Sequence, residues 1–398
     1  MKNVIVVGGS IAGLSAVRAL RAKGFDGQIT VLDRDPVAPY RKPELSKGIL
    51  SGRIRPEDIA IEWPADLGAE RWHGAATAVD LHRRRLGVEV DRASLQLPFD
   101  GLVIASGSEA RRHPTYAADA GVHVVRTLAD ATALADEVAL AAAVVVVGGG
   151  FLGLEAAASV RHQGKPVTVV EAGPALLGAR HGAAMSGAVA DLHRAHGVDV
   201  RLAETVDDIE LVGGRVAAVR LSRSGTIEAD LVIWSTGATL DLGWLNGIPA
   251  ATRDGVLCRP DCSVFGLEGV VAAGDVARLY NQRFNVSMRV EHWTNAIEQG
   301  TAAAATLLGR GTPLVSVPYV WSHQFDHKLE MIGCPGVAET SGVVRPDGGG
   351  LIVEFRRRSE LVGASSLAAG KSLLAPYRAQ LMRHGTSRSL QPDPADRR

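Results

Sequence analysis

Two stretches of this chain carry glycines and an acid at the spacing that binds a dinucleotide. The first, VIVVGGSIAGLSA, occupies residues 4–16 and has Gly8 and Gly13, with Ser10 where a further glycine is usual. A helical pattern follows, and the next apolar strand, GQITVLD, ends in Asp33, 20 residues after Gly13. This order of strand, turn, helix, strand and acid is typical of a dinucleotide-binding unit, whose acid accepts hydrogen bonds from a ribose.

Serine at position 10 is compatible with this chemistry. The second glycine of such turns lets the backbone approach a pyrophosphate, and serine adds one small hydroxyl that can itself donate a hydrogen bond to phosphate. We therefore expect a shifted contact and a retained site, with Ile11 and Ala12 completing the turn. Taken alone, the stretch also fits a parallel-sheet turn that binds nothing.

The same unit occurs a second time, and this repetition favours binding. Residues 142–173, AAVVVVGGGFLGLEAAASVRHQGKPVTVVEAG, repeat the order with Gly148, Gly150, Gly153 and the acid Glu171. Two such units in one chain predict two bound dinucleotides.

The acid of the second unit also predicts which nicotinamide nucleotide binds. A 2′-phosphate about 4 Å from Glu171 meets a repulsion of roughly 4 kcal/mol at an effective dielectric constant near 20. This is about a thousandfold in affinity, so NADH is favoured over NADPH. Arg161 or Arg180 would soften the preference if either reached the site.

Length and composition set the class of protein. With 398 residues, of which 46% are hydrophobic and 22% charged, the chain is expected to form two or three globular domains. The 43 basic residues balance the 43 acidic ones, which gives no net attraction to nucleic acid or to an anionic membrane. The three cysteines are too few for a disulfide framework, and neither a signal peptide nor a membrane span is recognisable, so we expect a cytoplasmic protein without a metal site.

Three further strand ends are expected near the cofactors. GVVAAGDVARL places Asp275 directly after Gly274 at the end of a strand, where ligands bind to open sheets. The segments FDGLVIASG and ADLVIWSTG resemble each other, and they predict two equivalent crossing points between domains, ending at Gly107 and Gly237.

At this point the chain resembles the FAD- and NAD(P)H-dependent ferredoxin reductases of oxygenase systems. The resemblance runs from residue 3 to about 385 and is carried by PYRKPELSKGIL, GGGFLGLEAAA, AAGDVA, RVEHWTNAIEQGTAAA and VPYVWSHQF. It implies an α/β, glutathione-reductase-like fold with two Rossmann-like domains and a small α+β C-terminal domain. The implied boundaries are 1–110 with 238–312 for FAD, 111–237 for NAD and 313–385 for the C-terminal domain. The polar tail 386–398 is expected to be disordered.

The resemblance also implies roles for individual residues. Lys47 would lie by the flavin ring and pair with Glu155 near the flavin N5, and Trp321 would cover the flavin; these three are the candidate catalytic residues. The implied cofactor-binding residues on the flavin side are Gly8, Ser10, Ile11, Ala12, Gly13, Asp33, Arg34, Arg41, Pro43, Lys47, Ala105, Ser106, Gly107, Gly274, Asp275, Glu291, His292, Trp293 and Trp321. The others are Gly148, Gly150, Phe151, Leu152, Gly153, Glu171 and Gly237.

The implied activity is hydride transfer from NADH to FAD, followed by single-electron transfer to a ferredoxin that serves an oxygenase. The ferredoxin is expected to be acidic, with Arg53, Arg55 and Arg289 as candidate docking residues, and the reductase to be a monomer or homodimer. An NADH oxidase or diaphorase-like enzyme, and an NADH-responsive binding flavoprotein resembling apoptosis-inducing factor, remain alternatives. A disulfide reductase is disfavoured because no cysteine precedes Cys258.

The chain departs from the family pattern at several positions. Lys42 and Glu44 replace the usual arginine and proline before Lys47, and Ser106 replaces a threonine. His323 stands where aspartate usually follows WS, and SLAAGKS replaces the usual Asn-Arg-Pro near the C-terminus. Of these, His323 bears most directly on the acceptor.

Overall fold

The structure is a computed structural model of the 398-residue chain, and it describes residues 1–178 and 181–383. The expectations for Arg180 and for the tail 386–398 lie outside the described residues.

The elements follow one another in the order that the sequence predicts for two nucleotide-binding units. The first part of the chain contains β1 (Asn3–Val7), α1 (Ile11–Ala22), β2 (Gln28–Asp33), β3 (Ala69–His73), β4 (Ala75–Asp80), β5 (Arg85–Val90), β6 (Ala93–Pro98), β7 (Gly101–Ile104) and β8 (Glu109–Ala110). The middle part contains β9 (Val122–His123), α2 (Leu128–Leu140), β10 (Val144–Val147), α3 (Phe151–His162), β11 (Val167–Glu171), α4 (Ala183–Ala195), β12 (Asp199–Leu202), β13 (Val206–Val212), β14 (Arg215–Leu221), β15 (Gly225–Glu228), β16 (Leu231–Trp234) and β17 (Ala238–Thr239).

The last part of the chain returns to the first sheet and then forms a sheet of its own. Its elements are β18 (Ala251–Thr252), β19 (Gly255–Cys258), β20 (Val270–Ala272), β21 (Ala277–Asn281), β22 (Val286–Met288), α5 (Trp293–Leu307), β23 (Tyr319–Gln324), β24 (His327–Gly333), β25 (Thr340–Val344), β26 (Leu351–Arg357), β27 (Glu360–Ala369) and α6 (Ala375–Arg383).

Two five-stranded parallel sheets form the Rossmann-like cores. The first has the order β20-β7-β1-β2-β3 and the second the order β12-β11-β10-β16-β9. Their central strands are continuous apolar runs, and all four residues of the strand VVVV in β10 are buried. Such runs are expected where helices cover both faces of a parallel sheet. The described chain also forms two three-stranded antiparallel sheets and a four-stranded mixed sheet, in which β19 and β21 pair in parallel.

A separate antiparallel sheet follows the second core along the chain. Its order is β23-β24-β27-β26-β25, and α6 packs against it. Together with the two parallel sheets, it confirms the predicted α/β class with a small α+β C-terminal domain.

A two-stranded ribbon joins the two Rossmann-like cores. In it, β8 follows the end of β7 and pairs in antiparallel register with β17, which follows β16; Ala110 is opposite Ala238. The two similar segments FDGLVIASG and ADLVIWSTG therefore end at neighbouring points of the molecule.

The segment that contains Lys47 packs against the second core. A single π-helical turn spans Leu45–Ile49. Although this turn lies in the first part of the chain, Leu45, Ile49 and Leu50 are buried in the same hydrophobic core as Leu154 and Val160 of α3.

Candidate cofactor-binding cleft

The first glycine turn is packed so closely against neighbouring backbone that two of its positions have no room for a side chain. Gly8 has φ of +106°, and a Cβ on it would lie 2.1 Å from the carbonyl oxygen of Ala105. A Cβ on Gly13 would lie 1.9 Å from the carbonyl oxygen of Gly8. Ser10 precedes α1 with φ of −72°, a conformation that any residue adopts, and it lines the cleft. The turn thus keeps glycine at the two positions where a side chain has no room.

The second turn has the same geometry. Gly148 has φ of +111°, and a Cβ on Gly153 would lie 2.1 Å from the carbonyl oxygen of Gly148. A Cβ on Gly150, the counterpart of Ser10, would meet nothing within 4 Å. The protein atoms around the second turn therefore do not themselves require glycine at this position.

The two acids lie beside their turns, as their spacing predicts. Asp33 lines the cleft at the end of β2, and its pKa is raised, mainly by burial. In the second unit, the carboxylate of Glu171 accepts hydrogen bonds from the backbone N–H of Gly149 at 2.7 Å and of Gly173 at 2.6 Å. Glu171 is therefore held in place at the rim of its turn.

Lys47 and Glu155 meet inside the cleft. The Lys47 Nζ lies 2.7 Å from Glu155 Oε2 and donates to the carbonyl oxygen of Pro43 at 2.9 Å. The hydroxyl of Ser46 donates to the same Glu155 oxygen at 2.5 Å. Glu155 is 5% exposed, so its carboxylate is largely removed from water. The ammonium of Lys47 and the hydroxyl of Ser46 supply the hydrogen bonds that it would otherwise lack.

A polar network at the end of β20 was not predicted from the sequence. The guanidinium of Arg126 donates to Asp275 Oδ2 at 2.9 Å and to Ser108 Oγ at 3.0 Å, and Ser108 Oγ also donates to Asp275 at 2.8 Å. Nearby, Gly274 N donates to the side-chain oxygen of Gln299 at 2.8 Å. Arg126 directly precedes the capping box of α2, and no local motif marks it as a site residue.

An aromatic cluster borders the cleft, which His292 and Trp321 line. The rings of His292 and Trp321 meet edge to face at 4.3 Å, and Trp321 lies 5.7 Å from the ring of Tyr319, centroid to centroid. Burial lowers the pKa of His292 to about 4, and the backbone N–H of Trp321 lies 3.4 Å from His292 Nε2. The imidazole is therefore neutral near pH 7.

Most of the predicted flavin-side residues line this one cleft. Those that do are Gly8, Ser10, Ile11, Ala12, Asp33, Pro43, Lys47, Ala105, Ser106, Gly107, Gly274, Asp275, Glu291, His292, Trp293 and Trp321. Phe151, Leu152 and Glu155 also line it, so the first residues of α3 border the same cavity as the first glycine turn. The other predicted residues of the second unit are not among its lining residues: Gly148, Gly150, Gly153, Glu171 and Gly237.

Two predicted arginines lie elsewhere. The exposed Arg41 donates to the backbone oxygen of Asp58 at 2.9 Å, and Lys42 lines the cleft instead. Arg34 pairs with Glu109 at 2.9 Å and with Asp241 at 3.0 Å. The side chains of Arg34 and Arg41 point away from the cleft because the backbone of an irregular segment sets their direction. Spacing along the sequence does not define that direction.

Lys42 brings a second cation to the cleft. Burial lowers its pKa to about 8, and the nearby charge of Arg126 contributes to the shift. Its Nζ also lies 5.4 Å from the centroid of the Tyr40 ring.

The cleft residues fit a flavin dinucleotide. Glycines form the cradle that a Cβ would fill, and Lys42, Lys47 and Arg126 supply positive charge. Ser106 Oγ and His292 Nδ1 are buried without a hydrogen-bond partner among the described residues, and both residues line the cleft. Buried polar atoms normally have partners, so these two are suited to a bound polar ligand.

The cysteines do not take part in this arrangement. Cys258 and Cys262 lie in the first core, 1% and 0% exposed, and burial raises the pKa of Cys262 to about 12. No cysteine is among the described residues that line the cleft. In the part of the chain that the structure describes, no group of acids, histidines and cysteines could hold a metal. None of the described helices is both long and apolar enough to cross a bilayer.

The fold and the cleft define a flavin- and pyridine-nucleotide-dependent oxidoreductase. Residues 2–300 match the family model described as pyridine nucleotide-disulphide oxidoreductase, and the chain belongs to this family. It is 33% identical to the rhodocoxin reductase of Rhodococcus erythropolis over 85% of this chain and 79% of that protein. It is also 33% identical to a ferredoxin–NAD(P)+ reductase of a Sphingomonas species, over 93% of this chain and 90% of that protein.

Solved structures agree with this assignment. The putidaredoxin reductase chain of a covalent putidaredoxin reductase–putidaredoxin complex superposes with a TM-score of 0.88 and 25% identity, over 96% of this chain and 93% of that chain. A water-forming NADH oxidase from Lactobacillus brevis has a TM-score of 0.87 at 20% identity, with 98% and 94% covered, and shares the fold. These findings confirm the family, the fold class, the oxidoreductase activity and the two cofactors predicted from the sequence.

Proposed function

We propose that this protein is an NADH-dependent reductase that passes electrons singly to an acidic ferredoxin serving an oxygenase. The observation that carries the proposal is the composition of the cleft, which combines the first glycine turn, Lys47, Glu155 of the second unit and Trp321 of the C-terminal sheet. The relatives named above, a rhodocoxin reductase and a ferredoxin–NAD(P)+ reductase, support the proposal. A monomer or homodimer is part of the proposal, as are the domain boundaries at 1–110 with 238–312, 111–237 and 313–385.

The residues that would hold FAD are those of the first turn and the Asp275 network. The turn from Gly8 to Gly13 and the start of α1 would bind the pyrophosphate through backbone N–H groups. Asp33 would accept from the adenosine ribose, and Asp275, fixed by Arg126, from the ribityl chain. When bound, FAD supplies a two-electron acceptor for the hydride of NADH and a one-electron donor for the ferredoxin.

The protein's own contribution to this chemistry is position and charge. Lys47 holds a positive charge inside the cleft, and Glu155 fixes the direction of that charge. Trp321 lines the cleft from the C-terminal sheet, where it would cover the flavin and limit the access of water. Helix α3 would place the pyrophosphate of NADH at its N-terminus, one turn before Glu155.

The preference for NADH rests on Glu171. Its carboxylate is held by two backbone N–H groups, so it has little freedom to turn away from a 2′-phosphate. Arg161 does not compensate, because its guanidinium bonds the carbonyl oxygens of His196, Gly164 and Lys165 at the other end of α3.

The three arginines of the proposed ferredoxin-docking site differ in how far their charge is already paired within the described chain. Arg55 pairs with Glu57 and Asp58, both at 3.0 Å, and Arg289 pairs with Glu291 at 2.8 Å and Asp254 at 3.2 Å. Arg53 donates to the hydroxyl of Ser51, and it pairs with no acid within the described chain. Of the three candidates, Arg53 therefore has the charge most available to an acidic partner.

Anaerobic stopped-flow mixing with NADH and with NADPH tests the proposal. We expect fast bleaching near 450 nm with NADH and bleaching slower by about a hundredfold or more with NADPH. Glu171→Ala should reduce this difference about tenfold or more, because it removes the like charge. A yellow protein that neither nucleotide reduces would contradict the proposed reductase.

A further inference from the structure

Three polar side chains on one face of α3 hold the π-helical turn that carries Lys47. Besides the contact of Glu155 with Ser46, Ser159 Oγ donates to the backbone oxygen of Ser46 at 2.7 Å. Gln163 Nε2 donates to the backbone oxygen of Leu50 at 2.9 Å. Because these three residues are four apart along the chain, they form a stripe along one side of the helix. We call Glu155, Ser159 and Gln163 the α3 stripe.

The fold does not require this stripe, as the first nucleotide-binding unit shows. The two glycine turns have matching geometry, and the positions of α1 that correspond to the stripe are Ser15, Ala19 and Lys23. Helix α1 packs instead against α5, closely enough that a Cβ on Gly300 would lie 2.2 Å from the backbone oxygen of Ala12. A nucleotide-binding helix thus folds without this combination of side chains, and in α1 the position of Ser159 is an alanine.

The hydrogen bonds of the α3 stripe hold a segment that apolar contacts already attach to the second core. Leu45, Ile49 and Leu50 bury their side chains in the core of the second unit. Ser46 is 1% exposed and Ser159 is 7% exposed, so their hydroxyls are removed from water for this contact. Hydrogen bonds add direction and register that an apolar contact lacks, whereas their net contribution to stability is small.

Direction matters here because Lys47 lies inside the π-turn, which spans Leu45–Ile49. π-helical turns are rare, and where they occur they are often at functional sites. The turn places the ammonium of Lys47 between Glu155 Oε2 and the carbonyl oxygen of Pro43. A small rotation of the turn would separate the ammonium from one of the two.

We propose that Ser159 and Gln163 are positioning residues for Lys47. They lock the π-turn onto α3, so that Lys47 moves as one body with the helix whose N-terminus would bind the nicotinamide nucleotide. This inference rests on the proposed function, since it assigns to the lock the task of aligning Lys47 with the hydride donor.

Two readouts test the lock in the protein as purified. The first is the rate at which acetic anhydride modifies Lys47, followed by mass spectrometry of the peptide and compared with the exposed Lys2. The second is the limiting rate of bleaching at saturating NADH, measured with the KM for NADH from pH 6 to 9. The variants are Ser159→Ala, Ser159→Thr and Gln163→Leu.

For Ser159→Ala we expect modification of Lys47 to become about five- to tenfold faster and the limiting rate to fall by a similar factor, with KM within twofold. The pH profile of the limiting rate should change shape, whereas a purely structural defect would lower it evenly. Ser159→Thr, which keeps the hydroxyl, should restore both readouts. If Ser159→Ala does not fold, Gln163→Leu tests the same lock at its other end with the same expected direction.

Thr306→Val is the matched control. It removes a hydroxyl that donates to the backbone oxygen of Asp261 at the far end of α5, and it should change neither readout. If the stripe variants change the modification rate of Lys47 and the limiting rate of bleaching by less than twofold, the proposed positioning role of Ser159 and Gln163 is contradicted. Lys47→Met separates this from failure of the proposed function. Normal bleaching in that variant would remove the role of Lys47, whereas the modification rates measured in the Ser159 and Gln163 variants would still report on the lock.

Discussion

The ammonium of Lys47 and the carboxylate of Glu155 lie 2.7 Å apart across 108 positions of the sequence. Lys47 comes from the part of the chain that supplies the first sheet, and Glu155 comes from the helix of the second nucleotide-binding unit. The pair therefore ties the two units together at the point where the cofactors are expected to meet.

We expect Glu155→Ala to slow NADH-driven bleaching by about 10- to 100-fold, because Lys47 loses the partner that fixes its direction. The FAD content should stay close to that of the unmodified protein, since Glu155 lies outside the first glycine turn. Stopped-flow absorbance and the ratio of absorbance at 450 and 280 nm measure the two effects. An unchanged bleaching rate would exclude the role proposed for Glu155.

Alanine at the two buried glycines should separate the two nucleotide sites. Gly13→Ala should yield protein with little FAD, because its Cβ would lie 1.9 Å from the backbone of Gly8. Gly153→Ala should stay yellow and lose fast reduction by NADH. Ser10→Gly is the control, and it should retain both FAD and reduction. Retention of FAD by Gly13→Ala would show that the first turn does not hold it.

Arg126→Gln should weaken FAD binding about tenfold, or by about 1.4 kcal/mol, since Asp275 loses its charged partner. Fluorescence titration of the flavin-free protein with FAD measures this change. Arg112→Gln removes a comparable ion pair with Asp130, in which the arginine side chain is 61% exposed, and we expect it to have almost no effect. Equal effects of the two variants would mean that the Asp275 network has no specific task.

Stability should fall as the pH decreases from about 6.5 to about 4. Burial lowers the pKa of His193 and of His292 from 6.5 to about 4, so in this range the unfolded chain binds protons that the folded chain does not. The contribution of each neutral ring is complete above pH 6.5 and is lost on acidification, with at most about 3 kcal/mol for each histidine. Urea unfolding at pH 7.5 and 5.0 measures the difference.

His193→Gln should reduce this pH dependence, because the amide does not titrate in that range. His193 is 0% exposed and its Nε2 lies 3.0 Å from the side-chain oxygen of Gln324, so the variant also tests a contact between α4 and the C-terminal sheet. His82→Gln, at an exposed position, should leave the dependence unchanged. If both variants behave alike, other groups cause the acid sensitivity.

Ferredoxin reduction should become about tenfold less efficient when the salt concentration rises from 50 to 500 mM, because screening weakens the attraction between opposite charges. Ferricyanide reduction should not fall in parallel. At low salt, Arg53→Gln should lower kcat/KM for the ferredoxin about threefold, and Arg201→Gln, at the far edge of the second sheet, should not. A ferredoxin rate that is independent of salt would exclude electrostatic docking.

Local features of the sequence predicted the nucleotide-binding units well. The glycines of both turns, the acids Asp33 and Glu171 and the strands that precede them follow from rules that act over about 30 residues. These rules describe backbone geometry, which a short segment largely determines by itself.

Features that depend on distant partners could not be read in the same way. Arg126 pairs with Asp275 across 149 positions of the sequence, and no sequence motif near Arg126 predicts this contact. A short 3-10 helix begins at Lys42, before the π-turn, and Arg41 directly precedes it. Which of these two side chains enters the cleft therefore depends on the local rotation of the backbone. Arg289 likewise meets Asp254 across 35 positions, whereas the acids that pair with Arg55 are its sequence neighbours Glu57 and Asp58.

The ribbon of β8 and β17 has a consequence for how such proteins diversify. The two ends of the inserted nucleotide-binding segment leave the first core side by side, with Ala110 opposite Ala238. A segment with adjacent ends can be exchanged between relatives as a cassette without rerouting the remaining chain. Preference for the electron donor could then be inherited separately from preference for the acceptor, provided that the cassette brings a stripe that matches the recipient's residues 46–50.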